Sequence, residues 1–359
     1  ELTLITGRQT SKCRVLSDTE LVSAANGRLL TPSELTIGTR LIGLGADYRW
    51  RVNTVVGRHE NPPSPVVRVT TRGGSQFTVT TDHRLRTVNG YKEAGELVPG
   101  DRLASLRSGG EFTGTSSVPD ARVILTAYML GDGYMGNRTM SFTSACPEIQ
   151  EEFRRCAQPL QPTPIRQHQK KNNKAIALAL TRQSQLLKWF DEDGLVGHKS
   201  RTKFIPAWVF DLDRRQTELF VTRLWATDGC VLSTPTGHPN ITYVSISRRL
   251  CRDLRALMTK LGYATTVKPH KATLYGADHG TSYVLRVINR DSQDRFLGEM
   301  VVPGKPSPEC RVTKQNNNRD TMPLEVRDWI HEVLDGVKRR KGSTLHATGL
   351  RLTAKYAMT

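Results

Sequence analysis

Two stretches of the chain carry apolar residues at helical spacing and end on the same small acidic sequence. The first covers 123–130 and runs into Asp132, and the second covers 219–224 and runs into Asp228. Recurrence of apolar residues every three or four positions predicts an amphipathic helix in each stretch. A glycine follows each aspartate, and glycine best tolerates the left-handed conformation that ends many helices. The pattern therefore predicts two helices with an aspartate at the equivalent end of each.

Small residues lie on both predicted helices near the aspartates. They are Ala127 and Gly131 on the first helix, and Ala226 and Gly229 on the second. Less side-chain bulk between two helices lets their axes approach closely. We therefore expect the helices to pack against each other with the two carboxylates side by side.

The pattern around the acidic ends is repeated beyond them. Each aspartate is followed by an alternating strand, a helix, a second strand and a helix that begins after Ser-Gln. These elements fall at 139–143, 147–160, 175–180 and 184–187 in the first copy, and at 241–246, 248–261, 282–287 and 292–297 in the second. A matched order of elements at two places indicates an internal duplication of an α+β unit.

These motifs resemble those of the LAGLIDADG homing endonucleases. The resemblance covers roughly 120–335, in two repeats of about 120–200 and 201–335, and implies a duplicated α+β endonuclease domain. It implies a monomer that cleaves double-stranded DNA at one long asymmetric site. The matching segments are Leu130–Gly133, Leu224–Gly229, Lys203–Pro206, Ser247–Leu250 and Leu261–Tyr263.

The resemblance also implies roles for particular residues. Asp132 and Asp228 are the implied catalytic residues and metal ligands, and Lys203 is the implied catalytic lysine. The implied cofactor is Mg²⁺ or Mn²⁺, in keeping with the preference of Mg²⁺ for carboxylate oxygens and water. Thr227 departs from the small apolar residue usual before the second aspartate. A cleavage-inactive DNA-binding protein on the same scaffold is therefore the alternative.

The region 13–104 is β-rich in pattern. Alternating segments at 14–16, 66–70 and 77–80 are separated by Asn-Gly and Gly-Gly pairs. Short strands bounded by turn residues, without helical periodicity, predict a compact all-β domain.

Three features of this β region resemble the N-terminal blocks of inteins, which have the hedgehog/intein (HINT) splicing fold. The resemblance implies that the Cys13 thiol attacks the carbonyl of Lys12 and converts the amide into a thioester. His83 has a side chain suited to protonating the leaving nitrogen, and Thr80 is the implied orienting residue. The features are Cys13–Thr19, Thr80 followed by His83, and Gly90–Ala94 leading to Leu97–Leu103.

Residues 1–12 are expected to be a remnant of the host protein, the N-extein. A short apolar stretch leads into Gly7 and then Lys12, like the opening of a phosphate-binding loop, but the second glycine of that loop is missing. The segment resembles the variant loop of phage large terminases, with a replicative helicase as the alternative host. We therefore expect the host protein to be a P-loop ATPase. A separate hypothesis, that the whole chain is itself a basic P-loop ATPase without an intein, is the weakest.

The balance of charge favours a polyanionic partner. Fifty-two Lys and Arg against 34 Asp and Glu give a net charge of +18, and neutralising DNA phosphates releases condensed counterions. A basic tract between two predicted strands is the candidate DNA-binding hairpin. Its residues are Arg166, Lys170, Lys171 and Lys174.

Cysteine spacing and hydropathy indicate the cellular compartment in which the protein is expected. The six cysteines form no Cys-x-x-Cys pair, so neither a disulfide framework nor a structural zinc site is expected. No stretch has the length and apolarity of a membrane span, and no signal sequence is evident. We therefore expect a cytoplasmic protein with no membrane partner.

Two further segments complete the predicted organisation. Residues 105–119 are rich in Gly, Ser and Thr and are predicted to be a linker. Residues 336–359 are a basic tail or linker that lacks the final His-Asn of an intein. We expect either a fragment whose C-terminal splicing segment is missing or a degenerate intein that is unable to splice.

Overall fold

The structure is a computed structural model of the chain. It describes residues 2–6, 13–15, 22–45, 49–60, 64–136, 139–169, 174–235, 237–274 and 277–308, together with residues 328, 331 and 332. Of the residues 2–6 and 13–15 only the backbone is described. The tail predicted at 336–359 therefore lies outside the described residues.

The N-terminal region consists of short antiparallel strands. Among the described residues of 13–104 there is no α-helix, which agrees with the predicted β character; the HINT fold itself stays a prediction. Six strands form one sheet in the order β5-β6-β1-β2-β8-β7, while β3 pairs with β4 and β9 with β10. The strands are β1 Leu2–Thr6, β2 Cys13–Val15, β3 Val22–Ser23, β4 Leu29–Leu30, β5 Arg40–Leu44, β6 Trp50–Glu60, β7 Val66–Thr70, β8 Gln76–Thr80, β9 Arg84–Thr87 and β10 Gly90–Glu93.

The region from residue 120 onward repeats one arrangement of elements. Two four-stranded sheets have the matching orders β11-β12-β14-β13 and β15-β16-β18-β17. The first half contains α1 Asp120–Asp132, β11 Gly133–Met135, β12 Met140–Ser144, α2 Pro147–Ala157, β13 Arg166–Gln169, β14 Ile176–Leu180 and α3 Gln185–Glu192. The second contains α4 Arg214–Asp228, β15 Gly229–Ser233, β16 Pro239–Ser245, α5 Arg248–Lys260, β17 Thr265–Leu274, β18 Ala277–Val287 and α6 Arg290–Glu299.

The two halves share one hydrophobic core. On each sheet one face is apolar because alternate strand residues point inward, as Phe142 and Tyr243 do, and both are fully buried. Tyr128 of α1 and Trp225 of α4 are also fully buried. Core burial on both sides therefore holds α1 and α4 together at the centre of the duplicated region.

The ends of α1 and α4 differ from the left-handed glycine ending expected from the sequence. Gly133 has φ −87° and Gly229 has φ −81°, both in the extended region. Each glycine is the first residue of a strand, β11 or β15. The chain passes straight from helix to strand, so the expectation of a left-handed turn is wrong.

The predicted linker lies between the two regions and is packed against both. Residues 105–119 form no helix and no strand. The Gly109 amide donates to the Thr259 carbonyl at 3.4 Å, and the Glu111 amide donates to the Ala25 carbonyl at 2.7 Å. Backbone bonds to both sides attach the N-terminal β region to α5.

Candidate nuclease site at the paired helix ends

The close approach of α1 and α4 is greatest at Gly131 and Thr227. A Cβ atom added to Gly131 would overlap the Thr227 side chain. The Thr227 hydroxyl donates to the Leu224 carbonyl of its own helix at 2.6 Å. Gly131 thus makes room for the unusual threonine, and the next residue of each helix is the predicted aspartate.

Lys203 closes the end of α1. Its ammonium donates to three backbone carbonyls, those of Met129 at 3.2 Å, Gly131 at 2.7 Å and Gly133 at 2.9 Å. The final carbonyls of a helix have no partner within the helix and carry its partial negative charge. An ammonium with three donors matches that need, and Lys203 is only 5 % exposed. The structure therefore places Lys203 at the Asp132 helix end, while its catalytic role stays a prediction.

Lys305 closes the end of α4 in the same way. Its ammonium donates to the carbonyls of Trp225 at 2.9 Å, Thr227 at 2.8 Å and Gly229 at 2.6 Å. The three acceptors occupy the same positions relative to Asp228 as those of Lys203 do relative to Asp132. Sequence reasoning missed Lys305, although the duplication held the signal: it follows α6 as Lys203 follows α3.

The two carboxylates are open to solvent on one side and backed by packed protein on the other. Burial, and next the charge of Asp132, raise the pKa of Asp228 to about 6. Burial likewise raises the pKa of Asp132, while the charges of Lys203 and Lys305 oppose that shift. Neither carboxylate is in a salt bridge with a described residue. Two partly desolvated, mutually repelling carboxylates constitute an anionic site that an added cation would relieve.

Burial also affects the two lysines. It lowers the pKa of Lys203 to about 8, against the opposing effect of Asp228 and Asp132. The pKa of Lys305 is lowered for the same leading reason. Both ammonium groups are therefore held by carbonyl oxygens and by the nearby negative charge rather than by a direct ion pair.

The backbone that carries Lys203 is fixed by α5. The Ser247 hydroxyl donates to the Lys203 carbonyl at 2.6 Å and accepts from the Leu250 amide at 3.1 Å. The Ile205 amide donates to the Asp253 carboxylate at 3.1 Å. The Lys203 segment thus follows α3 in the chain but lies on a helix of the second half.

The chemistry of the donors fits a divalent cation. No group of three or more His, Cys, Asp or Glu side chains in the described part of the chain could hold a metal ion. Mg²⁺ commonly takes one or two carboxylates from the protein and completes its shell with water and substrate phosphate oxygens. Asp132 and Asp228 supply such a pair, so the residues present fit the predicted cofactor.

Each sheet has one face that points away from the helices. Of the four predicted DNA-binding residues, the structure describes two. Arg166 is exposed on β13, opposite Ala179 of β14. Lys174 is exposed just before β14, so the predicted hairpin is present. Lys170 and Lys171, at its tip, lie outside the described residues.

The predicted splicing residues lie at one side of the large N-terminal sheet. Val15 of β2 pairs with Val79 of β8 in antiparallel register, so Cys13 is at the end of β2 that lies toward Thr80 and His83. Thr80 is 2 % exposed, and its hydroxyl has no hydrogen-bond partner among the described residues. The His83 amide donates to the Thr80 carbonyl at 3.0 Å. The Cys13 side chain is outside the described atoms.

Among the described residues no helix combines the length and apolarity needed to cross a bilayer.

Comparison with known proteins gives one family match. Residues 216–300 match the model of the LAGLIDADG-like domain. Those residues run from α4 through α6 and include the second acidic helix end and its sheet.

Two curated relatives cover most of the chain. The replicative DNA helicase DnaB of Rhodothermus marinus is 27% identical over 295 residues, which are 77% of this chain and 31% of that protein. Protein RecA of Mycobacterium tuberculosis is 25% identical over 239 residues, which are 65% of this chain and 30% of that protein. The chain thus spans about a third of the length of the curated relatives it matches.

Among solved structures, the homing endonuclease I-DmoI in complex with DNA and Mn is similar to this chain, with 15% sequence identity and a TM-score of 0.35. The aligned region covers 50% of this chain and 96% of the I-DmoI chain. A replicative helicase, the alternative host from the sequence, is the name that the first relative carries, whereas a terminase host stays a prediction. The family match confirms the prediction made from the acidic helix ends and fits an intein with an embedded endonuclease: the chain contains a LAGLIDADG-like domain.

Proposed function

We propose that this chain is an intein whose embedded LAGLIDADG domain cleaves double-stranded DNA. The observation that carries the proposal is the pair of acidic helix ends, each with a lysine bound to its last carbonyls. Two equivalent sets of groups beside each other match the two phosphodiesters of a duplex. We propose that each set acts mainly on one strand.

Asp132 and Asp228 would hold the divalent cation. Bound there, such an ion supplies a water of lowered pKa and stabilises the leaving oxygen of a phosphodiester. Asp132 and Asp228 are both exposed, so a cation can reach their carboxylates from solvent. Burial, and next the charge of Asp132, raise the pKa of Asp228, and a bound cation would relieve both effects.

Lys203 and Lys305 would act as paired cationic supports. Each holds the carbonyls at a helix end and thereby fixes the direction in which the adjacent carboxylate points. Each also places a positive charge beside the acidic pair, where an incoming phosphate would be attracted. A group held at three points moves little, and such preorganised charge is the most effective kind in catalysis.

The outward faces of the two sheets would bind the DNA. Arg166 and His168 share the outer face of β13, and Lys268 and His270 are exposed on β17 of the second half. Basic residues at such positions neutralise phosphates, and strand residues between them can reach base edges in the major groove. Lys174 at the start of β14 extends this basic edge.

The N-terminal β region would begin protein splicing. The Cys13 thiolate attacks the Lys12 carbonyl carbon, the C–N bond breaks, and the released nitrogen takes a proton from His83. The product is a thioester at Lys12 and a free amine on Cys13. The buried and unpartnered Thr80 hydroxyl supports its proposed role, because a hydrogen bond to the scissile peptide would satisfy it.

Selection and cleavage of DNA test the nuclease. The wild-type protein selects bound duplexes from a random library, and the selected duplex is then incubated with Mg²⁺ or Mn²⁺. We expect double-strand cleavage at one site. Asp132→Asn and Asp228→Asn should each reduce it by about 10²–10³-fold, the usual cost of losing one preorganised electrostatic group, while binding persists. A wild-type protein that binds the duplex tightly and never cuts it contradicts the nuclease and supports the inactive DNA-binding alternative.

Thiol-induced release of residues 1–12 tests the splicing step. Dithiothreitol should release this peptide, and mass spectrometry should place the cut at Lys12–Cys13. Cys13→Ala should abolish release, and His83→Ala should slow it by about 10²-fold as expected for a lost general acid. Undiminished release from Cys13→Ala would show the assignment to be wrong. A wild type that releases no peptide contradicts the splicing step proposed for this chain.

A further inference from the structure

A hairpin of the N-terminal β region lies against the outer edge of the second nuclease sheet. The hairpin is β7–β8, and its tip contains Gly73 and Gly74. A Cβ on Gly73 would be 3.8 Å from the Thr266 methyl group, and one on Gly74 would be 3.3 Å from Lys268 Cγ. Thr266 and Lys268 flank the inward-facing Val267 on the edge strand β17. The tip therefore touches side chains that belong to the outward face of the sheet.

The tip is fixed in this position by side chains of α5. Arg255 donates to the Ser75 hydroxyl at 2.8 Å, and Arg248 donates to the Gln76 side-chain oxygen at 3.4 Å. Gly74 has φ +86°, and a Cβ there would overlap the Val267 carbonyl oxygen. The close approach is thus possible because a glycine occupies the turn. Since α5 belongs to the nuclease, the hairpin is attached to that domain by more than the linker.

The hairpin and the strand beside it have the charge of a DNA-binding surface. Arg68 and Arg72 are exposed, and 64–80 contains no Asp or Glu. On β17, Lys268 and Lys271 are exposed, and 265–274 likewise contains no acidic residue. Four exposed cations without a neighbouring carboxylate on their own strands favour phosphate as a partner.

We propose that the β7–β8 hairpin is a DNA-backbone-binding element that extends the surface of the second nuclease sheet. The proposal rests on the proposed DNA-binding function of the sheets. Arg68 is on β7 and Arg72 lies in the turn that follows it, so the two side chains are placed to contact different phosphates. These contacts carry no base sequence; they lengthen the bound site and fix its register at one end. A splicing domain that is fused to the nuclease thereby takes part in recognising its target.

Footprinting with matched charge removal tests this role. The probe is the duplex that the wild-type protein selects from a random library, and the test variant is Arg68→Ala with Arg72→Ala. The control variant is Arg84→Ala with Arg102→Ala, two exposed arginines of the same domain near the separate β9–β10 pair. Both variants lose the same net charge. Affinity is measured from 50 to 300 mM salt, and ethylation interference locates the contacted phosphates.

The expected result is specific to the hairpin variant. The slope of log affinity against log salt should fall by about 1.8, because each phosphate contact contributes about 0.9. Interference should disappear only at one end of the site, while the control variant keeps both ends. Conservative Arg68→Lys with Arg72→Lys should restore the contacts.

The outcomes separate the two proposals. If the hairpin variant binds with the wild-type slope and an unchanged interference pattern, the inference is overturned and the DNA-binding function stands. If both variants lose the same slope and neither loses one end of the site, the charge acts non-specifically and the inference is again overturned. If the wild type selects no duplex at all, both the inference and the proposed function are overturned.

Discussion

The two halves of the LAGLIDADG-like domain place a lysine in the same way at the end of α1 and at the end of α4, but the surrounding contacts of the two lysines differ. Lys203 is deeply buried, and its backbone is bound by Ser247 and joined through Ile205 to Asp253. Lys305 is less buried, and its own amide donates to the Val302 carbonyl at 3.1 Å. The neighbouring Gly304 amide donates to exposed Glu148 at 3.1 Å. The α1 end is therefore the more firmly held of the two. A duplication can keep an arrangement of charged groups while the supporting contacts diverge.

Removal of each lysine should separate the two sites most strongly. Lys203→Met and Lys305→Met delete an ammonium that holds three carbonyls, so we expect each to slow cleavage by about 10²-fold. If each lysine serves mainly one strand, nicked plasmid should accumulate, with opposite strands nicked in the two variants. Strand-specific end labelling measures this. Equal loss on both strands in both variants would contradict the assignment of one strand to each helix end.

Filling the contact between the helices should damage the fold. Gly131→Ala places a methyl group on the Thr227 side chain, and overpacking of this kind costs about 1–3 kcal/mol. Thr227→Ala in the same chain should recover most of the loss, as a double-mutant cycle in urea would show. The matched control is Gly298→Ala in α6, where an added Cβ meets nothing within 4 Å. A Gly131→Ala protein as stable as the control would contradict the close approach.

The rate of cleavage should depend on pH through the acidic pair. Burial and Asp132 raise the pKa of Asp228 to about 6, so the charged form that holds a cation is lost as pH falls through about 6. The rate should drop about tenfold per pH unit below that value. Burial lowers the pKa of Lys203 to about 8, so a second decline should begin above pH 8. A flat rate from pH 5 to 9 would show that neither group matters in the rate-limiting step.

The same carboxyl should affect stability with the opposite sign. Because burial, and next the charge of Asp132, raise the pKa of Asp228 from its ordinary value of 3.8 to about 6, the folded chain binds more protons at this carboxyl than the unfolded chain does between those two pH values. The folded state therefore loses stability from this group as pH rises through that window. Asp228→Asn should raise the melting temperature at pH 7 and leave it unchanged near pH 3. A lower melting temperature at pH 7 would mean that the carboxylate is stabilising.

The smallest effect should come from the support of Lys203. Ser247→Ala removes an N-cap hydroxyl of α5 and its bond to the Lys203 carbonyl, at a cost of about 1 kcal/mol. Ser184→Ala removes the corresponding cap of α3, whose hydroxyl accepts from the Leu186 amide. The two variants should lose similar stability in urea, but only Ser247→Ala should slow cleavage, by a few fold. Equal rates in the two variants would show that Ser247 has only a structural role.

Sequence periodicity predicted the elements of the LAGLIDADG-like domain well because each helix and strand buries one face. The helices at 147–160 and 248–261 appear as α2 Pro147–Ala157 and α5 Arg248–Lys260. Lys203 was predicted because a family motif surrounds it. Lys305 was missed because no periodicity marks a lysine in a loop, and its partners are carbonyl oxygens that every sequence has.

The contacts between regions were beyond prediction for the same reason. Residues 105–119 look like a flexible linker in composition, yet Gly109 is buried and bonded to the α5 backbone. The close approach of Gly74 to β17 involves the Val267 carbonyl oxygen and a positive φ at Gly74. The residue pattern predicts neither of them. Composition predicts where a chain has no regular structure, and tertiary contacts decide whether such a segment is packed.

The segments that carry Lys203 and Lys305 each contact a helix of the opposite half, and this limits which parts of the domain can be exchanged by recombination. The Lys203 segment lies on α5 of the other half, and the Gly304–Lys305 segment lies at the start of α2 through Glu148. Each half thus makes a contact that supports a lysine segment of the other. A gene exchange that replaces one half with a diverged copy would disrupt both contacts at once. Productive chimeras must carry α2 together with 304–305, and α5 together with 203–205, as co-inherited pairs.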